Sequence, residues 1–285
     1  MNLSTTHVGL LQQHWNQLFD STNEIYGDEG AFLRRTGMTV IQLVVFWSVG
    51  GLFLLADVLK PAWLIKYKVQ PFEELPSYRI KHLLRVVVVN QLVSAPAGYF
   101  WNWLEVQRGS DMGRDLPTVQ VFLRDLICVI LCYEFVFYYT HRLIHHRRIF
   151  KYFHKRHHEW TAPVALSAMY AHPLEFFFSN IIVLMGPLIT GCHTTVTFAW
   201  AVILPLEVLF SHSGYHLPFC LPPEFHDYHH IKVVNNYGII GIMDYLHGTD
   251  RLFRKTKYFQ QRRWVFSFTP VQELIPDGKE EQKRK

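Results

Sequence analysis

The stretch Met38 to Leu59, MTVIQLVVFWSVGGLFLLADVL, constrains this chain most: its 22 residues carry one charge, Asp57, near the end. About 20 apolar residues are enough for a helix to cross the hydrocarbon of a bilayer, so the stretch predicts a membrane span. It does not read as a cleavable signal peptide. Thirty-seven residues precede it, among them Glu24, Asp28, Glu29, Arg34 and Arg35, and no small-residue cleavage site follows. Leu83 to Leu104 and Thr118 to Tyr139 are also long enough to span, but they contain Arg85, Asn90 and Gln91, then Arg124, Asp125 and Glu134. Polar groups at membrane depth are costly and face a bundle interior or a cavity, so these two helices are expected to line something. Two further apolar runs between Leu174 and Phe210, broken at Gly191 and Cys192, predict a hairpin that enters the membrane and returns.

The expected fold is therefore all-α, a multi-pass membrane helix bundle with a helical cap. Residues 1–37 form a polar N-terminal segment without recognisable chemistry, and residues 38–139 hold membrane helices. Residues 140–173 form a first polar cap segment, 174–210 the hairpin, 211–260 a second cap segment and 261–285 a charged tail ending GKEEQKRK, expected to be solvated. Because the hairpin returns to its side of entry, both polar segments are expected to pack together as one cap. Lys60 to Lys81, with Pro61, Pro71 and Pro76, reads as an interfacial connection.

Between His141 and Trp160 lie Arg142, Arg147, Arg148, Lys151, Lys155 and Arg156 against a single Glu159, a bias that predicts a cytosolic loop. The formal charge of +5 is thus accounted for beside the spans, and no soluble domain offers a basic face for nucleic acid. Cys128, Cys132, Cys192 and Cys220 form no CxxC pair and read as ordinary thiols, not a disulfide framework.

The cap segments carry the chemistry. His141, His145, His146, His154, His157 and His158 fall within 18 residues, and His212, His216, His226, His229 and His230 within 19, so that eleven of 17 histidines occupy two short windows. The spacing is ordered: His141/His145 and His212/His216 are i,i+4 pairs, and His154/His157/His158 and His226/His229/His230 repeat HxxHH. Positions i, i+3 and i+4 share a helical face, so each group is expected to project its rings in one direction. Ten imidazoles, His146 set aside, exceed what one ion accepts and point to two.

Neutral imidazole suits Zn, Cu, Fe or Ni, so donor type leaves the metal open. A structural zinc site closes with four ligands, usually including cysteine, whereas a pair of redox-active irons can activate O2 against a C–H bond. A membrane location then implies a lipid substrate. Ligating rings need partners for their second nitrogen, and Glu134, Glu159, Glu175, Asp227 and Asp244 are the acidic candidates. His146 points about 100° away from His145 around a helix and is expected behind the ligands or at the surface. His172 precedes Pro173 and Glu175, a pair suited to a helix start, and is expected close to the metals. His7, His14, His82 and His193 are isolated and read as ordinary, and His247-Gly248-Thr249 reads as a turn.

The stretches HRLIHHRRIFKYFHKRHH from His141, AHPLEFF from Ala171, HSGYH from His212, EFHDYHH from Glu224 and MDYLHGTD from Met243 resemble, in order and spacing, the sterol desaturase and fatty acid hydroxylase superfamily of membrane di-iron enzymes, in particular its methylsterol monooxygenase branch. The resemblance covers roughly residues 120–260. It implies metal ligands at His141, His145, His154, His157, His158, His212, His216, His226, His229 and His230, with His216 set apart because some sterol-oxidising members carry Asp there. It further implies two iron ions, O2 as co-substrate, an endoplasmic reticulum membrane, and NAD(P)H electrons delivered through a separate b-type cytochrome and its reductase. No GxGxxG fingerprint or haem domain in this chain supplies those electrons.

The expected function is oxidation of a C–H bond of a sterol-like or fatty acyl lipid, by hydroxylation or desaturation, in a cavity lined by residues such as Tyr138, Tyr139, Phe176 and Phe177. A catalytically silent metal- or sterol-binding regulator is one alternative. A metal transporter is the other, and it predicts ligands inside the spans at midplane depth.

Overall fold

A computed structural model describes residues 3–70 and 75–276; Pro71 and the charged end of the tail from Gly278 lie outside the described residues. The described residues form twelve α-helices: α1 Leu3–Tyr26, α2 Ala31–Leu59, α3 Ala62–Ile65, α4 Ser77–Arg108, α5 Val119–Ile144, α6 Arg147–Phe150, α7 Pro173–Thr190, α8 Thr194–Ser213, α9 Glu224–Lys232, α10 Ile242–His247, α11 Lys257–Gln261 and α12 Val271–Leu274. Among the described residues the sheet content is one isolated antiparallel bridge, Lys68 to Tyr215. Helices α2, α4, α7 and α8 are long and apolar enough to cross a membrane. The expected hairpin is α7 and α8, and α5, with Arg124, Asp125 and Glu134 in its apolar run, is not among those four.

The residues cluster into two compact units, Met1–Val44 with Ser94–Tyr133 and Asn180–Leu204, and Val45–Val93 with Glu134–Ser179 and Pro205–Lys285. In the first unit, Met38, Trp101, Leu184 and Ala201 form an apolar cluster. Its polar centre is Arg34, 1% exposed, which grips Glu105 with two hydrogen bonds of 2.7 and 3.1 Å and donates a third to the carbonyl of Cys192 at 2.9 Å. This pairing explains why α2 starts at Ala31, seven residues before the expected span: Arg34, read as a polar flank, is neutralised inside the fold. His193, read as ordinary, is buried and donates from Nε2 to the carbonyl of Gly113 at 2.9 Å.

In the second unit, Phe46 and Phe53 of α2, Leu83, Val86 and Val87 of α4, Leu209 of α8, and Trp160, Leu166 and Tyr170 of the loop before α7 share one core. A Cβ on Gly50 would collide with Leu166, so glycine lets the α2 backbone approach that loop. Asn90, polar within its span, is buried and donates from Nδ2 to the carbonyls of Met169 and Ala171 at 2.9 and 3.1 Å, and Gln91 accepts from the Trp47 indole at 3.0 Å. The expectation that polar span residues face inward holds for these two, whereas Arg85 and Arg124 are exposed. Asp57 accepts from Lys68 Nζ at 2.8 Å and from the Tyr215 hydroxyl at 2.9 Å. The segment read as an interfacial connection is thereby pinned, with the amide of Val69 bonded to the carbonyl of Gly214 and that of His216 to the carbonyl of Tyr67.

Removing one partner of a buried ion pair strands the other charge, at a cost of about 3–5 kcal/mol. Glu105→Gln is therefore expected to lower the thermal unfolding temperature of the detergent-solubilised protein far more than Asp20→Asn, which breaks the exposed pair with Arg114. Equal melting temperatures for the two variants would refute the structural role of Arg34.

Candidate metal centre

Five segments of the second unit converge on one place. Glu134, Tyr138 and His141 sit at i, i+4 and i+7 on α5 and so share a face. Glu134 accepts hydrogen bonds from four backbone amides, those of Ile239 and Ile240 at 2.9 Å and of Gly241 and Met243 at 3.2 Å. Tyr138 packs on Tyr237 and Met243, and its hydroxyl lies 3.2 Å from that of Thr249. The same stripe then presents His141, whose Nδ1 donates to the carbonyl of Tyr237 at 2.7 Å. His145 stands just past the helix end, His154, His157 and His158 on a 3-10 turn, His212 in the last turn of α8, and His226, His229 and His230 on α9.

The rings form two groups, His141, His145, His154, His158 and His229, and His157, His212, His226 and His230, with one ring nitrogen of each member within 4.8 Å of those of the others in its group. In the first group, Nε2 of His141 lies 3.2 Å from Nε2 of both His145 and His154, and Nε2 of His154 lies 3.1 Å from that of His158. In the second, the Nε2 distances are 3.3 Å from His157 to His212, 2.9 Å from His212 to His226 and 3.0 Å from His226 to His230. Imidazole nitrogens bind an ion such as zinc at about 2.0–2.1 Å, and two of them at right angles are then about 3 Å apart. Each HxxHH triplet serves both groups: its first and last rings turn to one and its middle ring to the other. The expectation of one direction per triplet is corrected accordingly.

Proton placement decides whether these contacts are hydrogen bonds or a ligand cage. Nδ1 of His141 faces a carbonyl, and Nδ1 of His154 faces Oε1 of Glu175 at 2.5 Å, so both rings carry their proton there. Their Nε2 lone pairs consequently meet head on at 3.2 Å. His157 and His212 repeat the arrangement, with Nδ1 on the carbonyls of Tyr170 at 3.3 Å and Val208 at 2.8 Å. His229 is fully buried, donates from Nδ1 to the carbonyl of Asn235 at 2.6 Å, and leaves Nε2 without a partner. Lone pairs so arranged repel unless a cation sits between them. The donor set fits a metal in each group.

Burial keeps the rings neutral. It pushes His157 down to about 4 and His158, with help from neighbouring imidazoles, to about 2; His154, His226, His229 and His230 are held well below their usual range by the same desolvation. Neutral imidazole is the form that binds metal.

His216 belongs to neither group. It was expected to share a helical face with His212, but α8 ends at Ser213, Gly214 adopts φ +66°, and the bridge to Lys68 carries the chain away. His216 is instead buried with Nδ1 2.5 Å from Glu224 Oε1, a partner the sequence reading did not name. His146 is exposed and caps α6 by accepting from the amide of Arg148, and His172 accepts from the amide of Leu174 at the start of α7, so both act on backbone. Of the acidic candidates, Glu175 meets a ring directly. Glu134 and Asp244 act one step further out by fixing the loop that offers the Tyr237 carbonyl, with Asp244 accepting from the amides of Tyr237 and Gly238 at 2.8 and 2.6 Å. Glu159 accepts from the Tyr170 hydroxyl, and Asp227 from Gln70. The carbonyls of Tyr237, Tyr170, Val208 and Asn235 were not foreseen, because any residue type can supply them.

A cavity of about 300 Å³ opens on the second group, with His212 and His226 in its wall beside Phe137, Val208, Leu221, Phe225, Ile239 and Trp264. Tyr138, Tyr139, Phe176 and Phe177, expected to line it, do not. Tyr138 turns into the loop packing, and its neighbour Phe137, one step around α5, takes the wall.

Removing an outer partner of a ligating histidine typically costs 10–100-fold in metal affinity. Glu175→Ala is expected to weaken binding at one of two sites by about that factor, read by metal titration of the stripped protein; two unchanged sites would refute the assignment. For the stripped protein, acid stability follows from the same burial. At pH above 6.5 the rings are neutral whether folded or unfolded; below it the unfolded chain gains protons that the folded rings, at about 4 for His157, refuse. Asp227, raised by burial to about 7, works in the opposite sense, and so does Glu224, but seven depressed imidazoles outside the spans outnumber them. Stability is expected to fall as pH drops from 6.5 to 4, and a flat melting temperature across that window would contradict the assignment of neutral rings.

The sequence pattern of the family described as fatty acid hydroxylase matches residues 126–249, which include all ten candidate histidines. The chain is 40% identical to fatty acid hydroxylase domain-containing protein 2 of Homo sapiens, over 85% of this chain and 74% of that one. It is 32% identical to very-long-chain aldehyde decarbonylase GL1-11 of Oryza sativa subsp. indica, over 69% and 79%, and 29% identical to methylsterol monooxygenase 2-2 of Arabidopsis thaliana, over 79% and 88%. No solved structure matches the chain. With the histidine segments inside the matched region and a relative aligned over most of both lengths, the chain belongs to the fatty acid hydroxylase family.

Proposed function

We propose that this chain is a membrane di-iron oxygenase that oxidises a C–H bond of a sterol-like or fatty acyl lipid, using O2 and NAD(P)H electrons delivered by a b-type cytochrome and its reductase at the endoplasmic reticulum membrane. The observation that carries this reading is the pair of imidazole groups with lone pairs directed at one another, the second opening on an apolar cavity. Two irons held there, one by His141, His145, His154, His158 and His229 and one by His157, His212, His226 and His230, would supply the redox chemistry that O2 activation requires. Hydroxylation by this route consumes O2, two electrons and two protons per C–H bond and releases one water.

The protein's own residues do the rest. The backbone carbonyls and Glu175 hold the Nδ1 protons of His141, His154, His157, His212 and His229, which fixes tautomer and orientation of those five rings before any metal arrives. Glu134 and Asp244 tie down the loop that carries Ile239 and Ile240, so the cavity wall beside the second group is rigid. Phe137, Val208, Leu221 and Trp264 surround an entering alkyl segment and keep water from it. The transporter alternative required ligands at midplane depth. Of the grouped histidines only His212 belongs to a candidate span, and it lies in the last turn.

The double variant His157→Ala/His158→Ala removes one ring from each group. The wild type, purified from membranes, is expected to contain about two irons per chain, and the variant substantially less with its helical content retained. Cells expressing the wild type are expected to contain an oxidised sterol or fatty acyl product that cells expressing the variant lack. Identical lipid profiles at equal expression, or no metal in the wild type, would sink the proposal.

A further inference from the structure

Glu207 is the one acidic residue in the wall of the cavity beside the second histidine group. It lies within α8, in the apolar run AVILPLEVLF, and its side chain is partly exposed to the space it lines. Among the described residues no hydrogen-bond donor reaches it; the nearby carboxyl, Glu134, is already saturated by four amides. A lone ionisable group on a membrane helix, facing a cavity, is a functional residue by default, because its cost in hydrocarbon has no structural return. His212 is five residues further along the same helix, roughly 7.5 Å along its axis at 1.5 Å per residue, so one lipid can touch both.

The chemistry of the missing partner can be narrowed. Arg262 and Arg263 also line the cavity, and their charge opposes an ammonium group on the ligand, whereas a carboxylate on the ligand would meet Glu207 itself. A neutral hydroxyl suits either state of Glu207: it donates to a carboxylate and accepts from a carboxylic acid. We infer that Glu207 is a specificity-determining residue that binds a hydroxyl group of the lipid, so that the cavity selects a hydroxylated lipid over the corresponding hydrocarbon. The inference rests on the oxygenase reading for the site's use, but not for the binding itself.

The test is equilibrium binding to the full-length protein in nanodiscs. Cholesterol is compared with cholestane, and 1-octadecanol with octadecane, for wild type, Glu207→Gln and Glu207→Leu. A hydrogen bond to a charged or strongly polar group changes affinity by roughly ten- to a hundredfold. The wild type is expected to prefer the alcohol of at least one pair by about that factor; Glu207→Leu is expected to lose the preference and Glu207→Gln to keep part of it. The pair that discriminates identifies the ring or chain character of the lipid. No preference in the wild type, or one that survives in Glu207→Leu, overturns the inference. Should Glu207→Leu fail to fold, Glu207→Gln together with the cavity-filling Val208→Phe decides, since filling must weaken alcohol binding if the alcohol enters here. Iron content and lipid oxidation in the same preparations separate the two claims. Oxidation without alcohol preference leaves the oxygenase reading standing alone, and Glu207-dependent preference without oxidation leaves this one.

Discussion

Nine imidazoles in one small volume, seven of them buried and two half-buried, several with the Nδ1 proton committed to a fixed acceptor, are the condition on which the rest of the second unit depends. Burying that many titratable rings is costly unless each polar atom is satisfied. The outer nitrogens of His141, His157, His212 and His229 find the carbonyls of Tyr237, Tyr170, Val208 and Asn235, and that of His154 the carboxyl of Glu175, whereas Nδ1 of His158 and of His230 is buried without a partner. The inner ones meet only each other or, at His229, no partner at all. This asymmetry makes the cluster a poor hydrophobic core and a good receptor for cations, and it explains why so much of the surrounding chain is spent on positioning carbonyls.

The positioning runs outward in layers. His141 depends on the Tyr237 carbonyl, that carbonyl on a loop with no regular structure, and the loop on Asp244 and Glu134, which gather six backbone amides between them. A Cβ at Gly238 would press on both carboxylates, so the residue there has to be glycine for reasons of space. Glu134 therefore answers the question of what a carboxylate is doing in an apolar helix. It is a structural anion in a nest of amides, and its charge stabilises irregular backbone that helix or sheet would otherwise have to satisfy.

Much of this was legible in the sequence where periodicity carries information. The blocks of apolar residues marked α2, α4, α7 and α8, with α2 and α4 beginning six or seven residues earlier than expected, but also α5, whose charges keep it out of that set; the HxxHH triplets marked the segments whose rings group together. What failed did so where local pattern is overridden by pairing. Arg34 looked like the polar flank of a span and is instead buried against Glu105; His216 looked like the helical partner of His212 and is turned away at Gly214. The partners of the rings were half legible. A carboxyl such as Glu175 announces itself, but a backbone carbonyl has no residue type. Glu207 was visible as the one charge in its apolar run and was passed over, although a lone carboxyl on a membrane helix is itself a signal.

The exit from α8 shows how one local event distributes function. If the helix continued past Ser213, His216 would stand one turn beyond His212 and face the second group as a fifth ring. Gly214 at φ +66° ends it, and the bridge to Lys68 directs His216 to Glu224 on the first turn of α9. The same α9 carries His226, His229 and His230, so the His216–Glu224 contact fixes the start of the helix that supplies rings to both groups. The second group thereby holds four rings where the first holds five, and it is the four-ring group whose His212 and His226 border the cavity. An ion with fewer protein ligands keeps positions open, and open positions are useful only where a substrate can reach them. The asymmetry in ring number and the location of the cavity thus single out the same half of the cluster, the one that would meet the substrate under the proposed function.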